Sequence, residues 1–98
     1  MSVFVVAHLT FVDVDRYRRY QSHFAGVFRK FRGELLVADE QPILLEGSDQ
    51  IDKVVIMEFP DAEEARRMME SPEYREISLD REAGANTHSV MVRSLGAT

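Results

Sequence analysis

Hydrophobic and polar residues follow one another along the chain in periods that predict four strands and two helical regions. Val3–Phe11 has seven apolar residues in nine, most of them β-branched or aromatic, which is typical of a strand. Both of its faces are largely apolar, so we expect a central strand that is covered on both sides. Lys53–Phe59 has a similar composition and leads to the same expectation.

The clearest periodic signal lies between the first strand and the second. Apolar residues recur there at steps of three and four, and they are Tyr17, Tyr20, Phe24, Val27, Phe28 and Phe31. This spacing predicts an amphipathic helix of about five turns. Asp13 is its expected N-cap, and Gly33 is its expected C-terminal stop.

The middle of the chain predicts short extended segments that are joined by loops. Residues 34–38 predict a second strand, and residues 43–45 predict a return to extended structure after a turn at 39–42. Residues 47–50 predict a loop that leads into the strand Lys53–Phe59.

The second helical region is predicted to be broken into two pieces. Asp61 is the expected N-cap of the first piece, and Glu64 completes a capping-box pattern. Ser71 then caps the second piece and Pro72 takes its first helical position, so the chain must change direction there. A last strand is expected over residues 87–94.

The order β-α-β-β-α-β predicts an α+β fold of the ferredoxin-like type, in one domain over residues 1–98. Helices cover one face of an antiparallel sheet in that arrangement. Because the first and third strands are apolar on both faces, the second face also needs a cover, and no segment is left to provide it. We therefore expect a homodimer that packs sheet face against sheet face.

Composition narrows the environment and the partners. The chain has no cysteine, which excludes disulfides and thiolate chemistry. Its net charge of −5 argues against a nucleic-acid partner. No stretch approaches the roughly 20 apolar residues of a membrane span. We expect a cytoplasmic protein that has no membrane partner.

Several motifs resemble those of one small bacterial family. They are Asp13-x-x-x-Tyr17, Gly33, Glu46-Gly47, the run from Val55 to Pro60, the run from Ser71 to Tyr74, and Arg81. The family is known as domain of unknown function thirteen-thirty, and the resemblance spans nearly the whole chain. The resemblance implies a dimeric α+β barrel. Cofactor-free antibiotic monooxygenases, muconolactone isomerase and stress-responsive barrel proteins belong to the same group of folds.

Four side chains are candidates for a polar site between the sheet and the helices. His8 interrupts an apolar strand and is a candidate general base, although a hydrogen-bonded core histidine is the alternative. Glu58 is an acid within another apolar strand, and Arg81 shares a helical face with Tyr74. An arginine that points into a pocket favours a carboxylate or enolate ligand. The alternative is an ion pair that fixes the broken helix to the sheet.

The remaining candidates concern binding and metals. Tyr17 is a candidate binding residue, with a core position as its alternative. His23 and His88 complete the histidines, but no His-x-His or His-Glu-x-x-His spacing occurs, and we expect no metal. The sequence also lacks a glycine-rich phosphate loop, a nucleophile elbow and a dinucleotide fingerprint, so no cofactor is expected.

Two functions stay open, and the sequence does not decide whether the protein is an enzyme. The first is the cofactor-independent oxygenation or isomerisation of a cyclic or aromatic acid, with His8 as the base and with Arg81 and Tyr74 orienting the substrate. The second is a non-catalytic homodimer that binds a small acidic or apolar metabolite or serves a partner protein. A small organic acid is the possible ligand, and a screen of aromatic acids would help to separate the two functions.

Overall fold

The computed structural model describes residues 1–96, which form a four-stranded antiparallel sheet and three helices. The elements are β1 (Val3–Phe11), α1 (Val14–Phe28), β2 (Glu34–Asp39), β3 (Lys53–Phe59), α2 (Ala62–Met69), α3 (Pro72–Gly84) and β4 (Ala85–Arg93). The strand order across the sheet is β2-β3-β1-β4, and every neighbouring pair is antiparallel. The predicted ferredoxin-like α+β fold is confirmed, including the break between α2 and α3.

Each helix begins after the residue that was predicted to cap it. The caps are Asp13, Asp61 and Ser71, and each side chain accepts the backbone N–H of the third residue beyond it. The capping box at Asp61 is only half formed. The carboxylate of Glu64 accepts hydrogen bonds from the side chain of Arg67 and from the backbone N–H of Arg32, so it does not reach back to its own cap.

The end of α1 differs from the prediction. The helix stops at Phe28 rather than near Phe31, because the N–H of Phe31 bonds the carbonyl of Phe28 in a tighter turn. Gly33 does not act as a left-handed stop, since only Gly47 among the described residues has a positive φ. A Cβ at Gly33 would lie 2.8 Å from the rings of Phe28 and Phe59. Glycine is needed there because two aromatic rings approach the backbone.

The extended segment predicted for residues 43–45 is wrong. These residues lie in the long loop between β2 and β3, where Ile43 and Leu45 are 84% and 93% exposed. Pro42 has no backbone N–H that could donate a hydrogen bond to a neighbouring strand. Gly47 turns the chain with a φ of 106°. The loop therefore crosses from one strand to its neighbour without pairing to either.

The helices cover one face of the sheet. On that face β1 contributes Val3, Val5 and Leu9, which are at most 5% exposed, and β3 contributes Phe59, which is fully buried.

None of the helices within residues 1–96 is long and apolar enough to cross a membrane.

The opposite side of the sheet is called the outer face below. Its residues are Glu34, Val37 and Asp39 of β2, Val54, Ile56 and Glu58 of β3, Phe4, Val6 and His8 of β1, and His88, Val90 and Val92 of β4. Val90 and Val92 are 59% and 42% exposed. Exposed apolar side chains in this position fit the predicted dimer, which stays a prediction at this point.

Candidate functional site

A cavity of about 140 Å³ lies between the sheet and the helices. A row of short side chains creates the space. Ala38, Val55, Ala7 and Ser89 are register partners across all four strands, and all of them line the cavity. Because none of the four reaches far from the sheet, the helices bridge a gap that longer side chains would fill.

The wall formed by the helices is largely apolar and aromatic. Its members are Tyr17, Tyr20 and Phe24 of α1, Met69 at the end of α2, and Tyr74 of α3. The rings of α1 lean on one another, with Tyr20 centred 5.7 Å from Tyr17 and 5.8 Å from Phe24. A concave apolar site with a few polar groups is the usual form of a small-molecule pocket.

Two tyrosine hydroxyls form the first polar feature of the cavity. The hydroxyl oxygens of Tyr20 and Tyr74 lie 3.0 Å apart in a buried hydrogen bond. Only one of the two hydrogens is used in this bond, so the other is free to donate to a bound molecule. Burial, and after it the neighbouring Tyr74, raise the pKa of Tyr20 above its ordinary value. Tyr20 is therefore a neutral donor at physiological pH.

Arg81 is the second polar feature and carries a positive charge. Its guanidinium carbon lies 5.8 Å from the centre of the Tyr20 ring, and its side chain is 20% exposed. The nearest carboxylate oxygen recorded for it is that of Glu82, 3.9 Å from Nη2, which is beyond hydrogen-bond distance. Nε has no hydrogen-bond partner among residues 1–96. A half-buried cation without a hydrogen-bonded anion leaves binding capacity for one.

Lys53 is a second cation of the cavity, but it has a carboxylate partner. Its ammonium lies 3.3 Å from a carboxylate oxygen of Glu40 and 4.9 Å from the centre of the Tyr17 ring. Glu40 also accepts two hydrogen bonds from Arg18. Arg18 first, and then Lys53, lower the pKa of Glu40 to about 2. Lys53 thus has a carboxylate within ion-pair distance that it shares with Arg18, whereas Arg81 has none within hydrogen-bond distance among residues 1–96.

Three of the five predicted site residues line this cavity. They are Tyr17, Tyr74 and Arg81. His8 and Glu58 lie on the outer face, because neighbouring residues of a strand point to opposite sides of a sheet.

The predicted convergence of Glu58 with Tyr74 and Arg81 is therefore wrong, and so is the alternative of an ion pair from Glu58 to Arg81. His8 is exposed rather than buried, and it cannot serve as a base for a molecule in this cavity. Within residues 1–96, no three acidic or histidine side chains come together as metal ligands.

Besides Tyr20, which the periodicity assigns only to the apolar stripe of α1, sequence reasoning missed two features of the cavity. Lys53 stands first in an apolar strand, and its spacing to Val55 and Met57 places it on their face, which was the available signal. The row of short side chains had no signal, because it depends on the register between strands that lie far apart in sequence.

The sheet order and the cavity beneath the helices define a ferredoxin-like α+β protein, and solved structures share the fold. A protein of unknown function from Rhodopseudomonas palustris superposes with a TM-score of 0.83 at 19% identity, covering 96% of this chain and 82% of that one. SnoaB, a cofactor-independent oxygenase from Streptomyces nogalater, gives 0.65 at 16% identity, covering 99% and 98%. A dimeric ferredoxin-like protein of unknown function from Thermobifida fusca gives 0.68 at 13% identity, covering 96% and 92%.

These identities show a shared fold and nothing narrower. The sequence itself defines the family, since residues 2–95 match the domain of unknown function DUF1330. The chain belongs to this family. No curated protein shows significant similarity to it.

Proposed function

We propose that this protein is a homodimer that binds a small organic acid in the cavity of each chain. The observation that carries the proposal is the state of Arg81. Its guanidinium lines an otherwise mostly apolar cavity and has no carboxylate within hydrogen-bond distance among residues 1–96. A ligand carboxylate would supply the missing partner, and bonds between two charged groups are the strong ones.

The size of the cavity narrows the class of acid. A volume of about 140 Å³ is close to that of an engineered apolar cavity of about 150 Å³ that holds benzene. The apolar part of the ligand is thus expected to be a single ring or a short branched chain. The free hydroxyl hydrogen of the Tyr20–Tyr74 pair is a suitable donor to a second oxygen of the ligand.

The geometry favours binding over catalysis by proton abstraction. The titratable side chains that line the cavity are Tyr17, Tyr20, Lys53, Tyr74 and Arg81. Lys53 is held by Glu40, and the raised pKa of Tyr20 keeps its hydroxyl neutral. Cofactor-independent oxygenation or isomerisation that begins with proton abstraction by the protein needs a base beside the substrate. With His8 on the outer face, the base that the sequence proposed for that chemistry is absent from the cavity.

The homodimer is supported by the exposed apolar residues of the outer face, above all Val90 and Val92. The T. fusca protein, which has the same fold, is itself described as dimeric. A second copy that lays its sheet against this face would bury those side chains and leave the cavity, on the other side of the sheet, free for a ligand.

Matched pairs of acids and amides test the proposal. Isothermal titration calorimetry would compare benzoate, phenylacetate and cyclohexanecarboxylate with their primary amides, which keep the shape and lose the charge. We expect at least one acid to bind about tenfold or more tighter than its amide, and we expect 2-naphthoate to bind more weakly than benzoate. Equal affinity for acids and amides, or no binding by any of the three acids, would overturn the proposal.

A further inference from the structure

The outer face carries two pairs of like titratable side chains at opposite corners. Glu34 of β2 lies directly opposite Glu58 of β3 near one end of the sheet. His8 of β1 lies directly opposite His88 of β4 nearer the other end. Between the two corners runs an apolar row across all four strands, formed by Val37, Ile56, Val6 and Val90.

The pair of glutamates is unfavourable within a single chain. Like charges that face each other across two strands destabilise a sheet. Glu34, Glu58, His8 and His88 also make no side-chain hydrogen bond and no ion pair among residues 1–96. The four side chains are therefore available to a partner, and each imidazole is a hydrogen-bond donor that suits a carboxylate of the other corner.

Other charged groups lie near the histidine corner. Asp39 and Asp52 are acidic neighbours, but their oxygens already accept the backbone N–H groups of Gln41 and Phe11. Arg81 and Glu82 share a shallow surface depression with His88 and carry opposite charges. Arg81 and Glu82 offset each other, but a hydrogen bond from a neutral backbone N–H leaves the negative charges of Asp39 and Asp52 in place, so the surroundings of the two imidazoles carry a net negative charge.

A surface depression at the glutamate corner is lined by one further charged residue among those that the structure describes. Arg32 shares a surface depression with Glu34 and Glu58, although no ion pair joins it to either, and its side chain is 72% exposed. The corner therefore keeps a net negative charge.

We propose that the outer face binds the outer face of a second copy in one defined register. In this register Glu34 and Glu58 of one chain meet the partner's His8 and His88, and the reverse contact forms at the other corner. The inference rests on the homodimer proposed above and adds which side chains select the alignment. Charge complementarity of this kind fixes orientation more than it adds affinity.

Two-fold symmetry allows this pairing and predicts its angle. The two corners are separated by two strand spacings, about 10 Å, and by four residues along the strands, about 13 Å. A two-fold axis between the sheets exchanges the corners only if it lies perpendicular to the line that joins them. The strands of the two sheets then cross at about 70°, within the near-orthogonal class of sheet packing. The apolar row that contains Val6 falls at the centre of the interface.

The register makes association sensitive to pH. An imidazole gains its proton between pH 8 and 5, and a protonated histidine opposite a glutamate attracts it. Dimerisation then takes up protons, so the dimer becomes tighter as the pH falls from 8 to 6. A dimer in which the histidines face each other or face apolar residues would become weaker over the same range.

Charge exchange between the corners tests the register by sedimentation velocity on the full chain. We expect Glu58→Lys and His8→Glu each to raise the dimer dissociation constant about tenfold or more, and the double variant to return it to within about threefold of wild type. Glu76→Lys reverses an exposed charge on α3 and should leave the constant unchanged. Thermal melting would verify that each variant is folded.

The outcomes separate this inference from the proposed function. A wild-type chain that stays monomeric at micromolar concentration would overturn the homodimer itself. The register alone would be overturned if the dimer is stable and its dissociation constant is the same in the single variants as in wild type. It would also be overturned if the double variant dissociates as readily as the single variants. A wild-type dimer that loosens between pH 8 and 6 would also overturn the register. Binding of acids in the cavity is measured separately and is not touched by these results.

Discussion

The guanidinium of Arg81 lies over the ring of Tyr20, with 5.8 Å between the guanidinium carbon and the ring centre. Cation–π contacts of this length orient a cation without neutralising it. The Tyr20 hydroxyl bonds that of Tyr74, which stands seven residues before Arg81 on the same face of α3. The packing of α3 on α1 thus places one cation and two hydroxyls at the same cavity. This arrangement is the reason why we propose an organic acid as the ligand.

Filling the cavity from the sheet side should abolish binding without unfolding the protein. Ala7→Leu adds three carbon atoms to the row of short side chains, in a space of about 140 Å³. We expect affinity for the best acid to fall at least tenfold, while the free energy of unfolding is unchanged or rises by up to about 2 kcal/mol. Calorimetry and urea denaturation measure the two quantities.

The control is Ala25→Leu, which adds the same atoms at an exposed position of α1 outside the cavity. Ala7→Leu with full affinity would show that the ligand binds elsewhere.

The break between α2 and α3 depends on Ser71. Its hydroxyl oxygen accepts the N–H of Tyr74 at 3.2 Å and donates to the carbonyl of Met68 at 2.8 Å. Ser71→Ala should lower the free energy of unfolding by about 0.5–2 kcal/mol through the lost cap. Ser22→Ala removes a hydroxyl that bonds only a carbonyl of its own helix, and it should cost less. Equal losses in the two variants, measured by urea denaturation, would argue against the cap.

Acid should destabilise the fold through Glu64. Two hydrogen bonds from Arg67, and then one from the backbone of Arg32, lower the pKa of this carboxyl from 4.5 to about 2. The depressed pKa means that the contribution to stability is present above pH 4.5 and is lost as the pH falls towards 2. Thermal melts across this range should show a shallower fall for Glu64→Gln than for wild type.

The neighbouring Glu63 is exposed and gives the matched control. Glu63→Gln should follow the wild-type curve. A Glu64→Gln curve that is parallel to wild type would contradict the assignment. Some slope should remain in Glu64→Gln, because the pKa of Glu40 is also lowered to about 2.

Local signals predict the start of each helix correctly and the end of α1 incorrectly. A cap such as Asp13 or Ser71 bonds a residue three positions further on, so the local sequence is enough to predict where the helix starts. The role of Gly33 depends on Phe28 and Phe59, whose rings meet beside it although they are far apart along the chain. The spacing of apolar residues along the chain does not reveal a contact between two residues that are so far apart in sequence.

The candidate site was predicted in part for a similar reason. Alternation assigns the residues of one strand to two faces, but it does not say which face the helices cover. In β1 both faces are apolar, so His8 could be placed on either side. Arg81 and Tyr74 belong to one helix, where spacing alone sets a common direction, and they were placed correctly.

Replacement of Arg81 tests the central claim most directly. Arg81→Gln keeps a polar side chain and removes the charge, and Arg75→Gln makes the same change at an exposed position of the same helix. We expect Arg81→Gln to weaken binding of the best acid about ten- to hundredfold, with a melting temperature that is unchanged or raised because the half-buried guanidinium has no carboxylate within hydrogen-bond distance in the described part of the chain. Arg75→Gln should alter neither. Affinity within twofold of wild type, together with a melting temperature several degrees lower, would show that Arg81 supports the fold and does not hold a ligand.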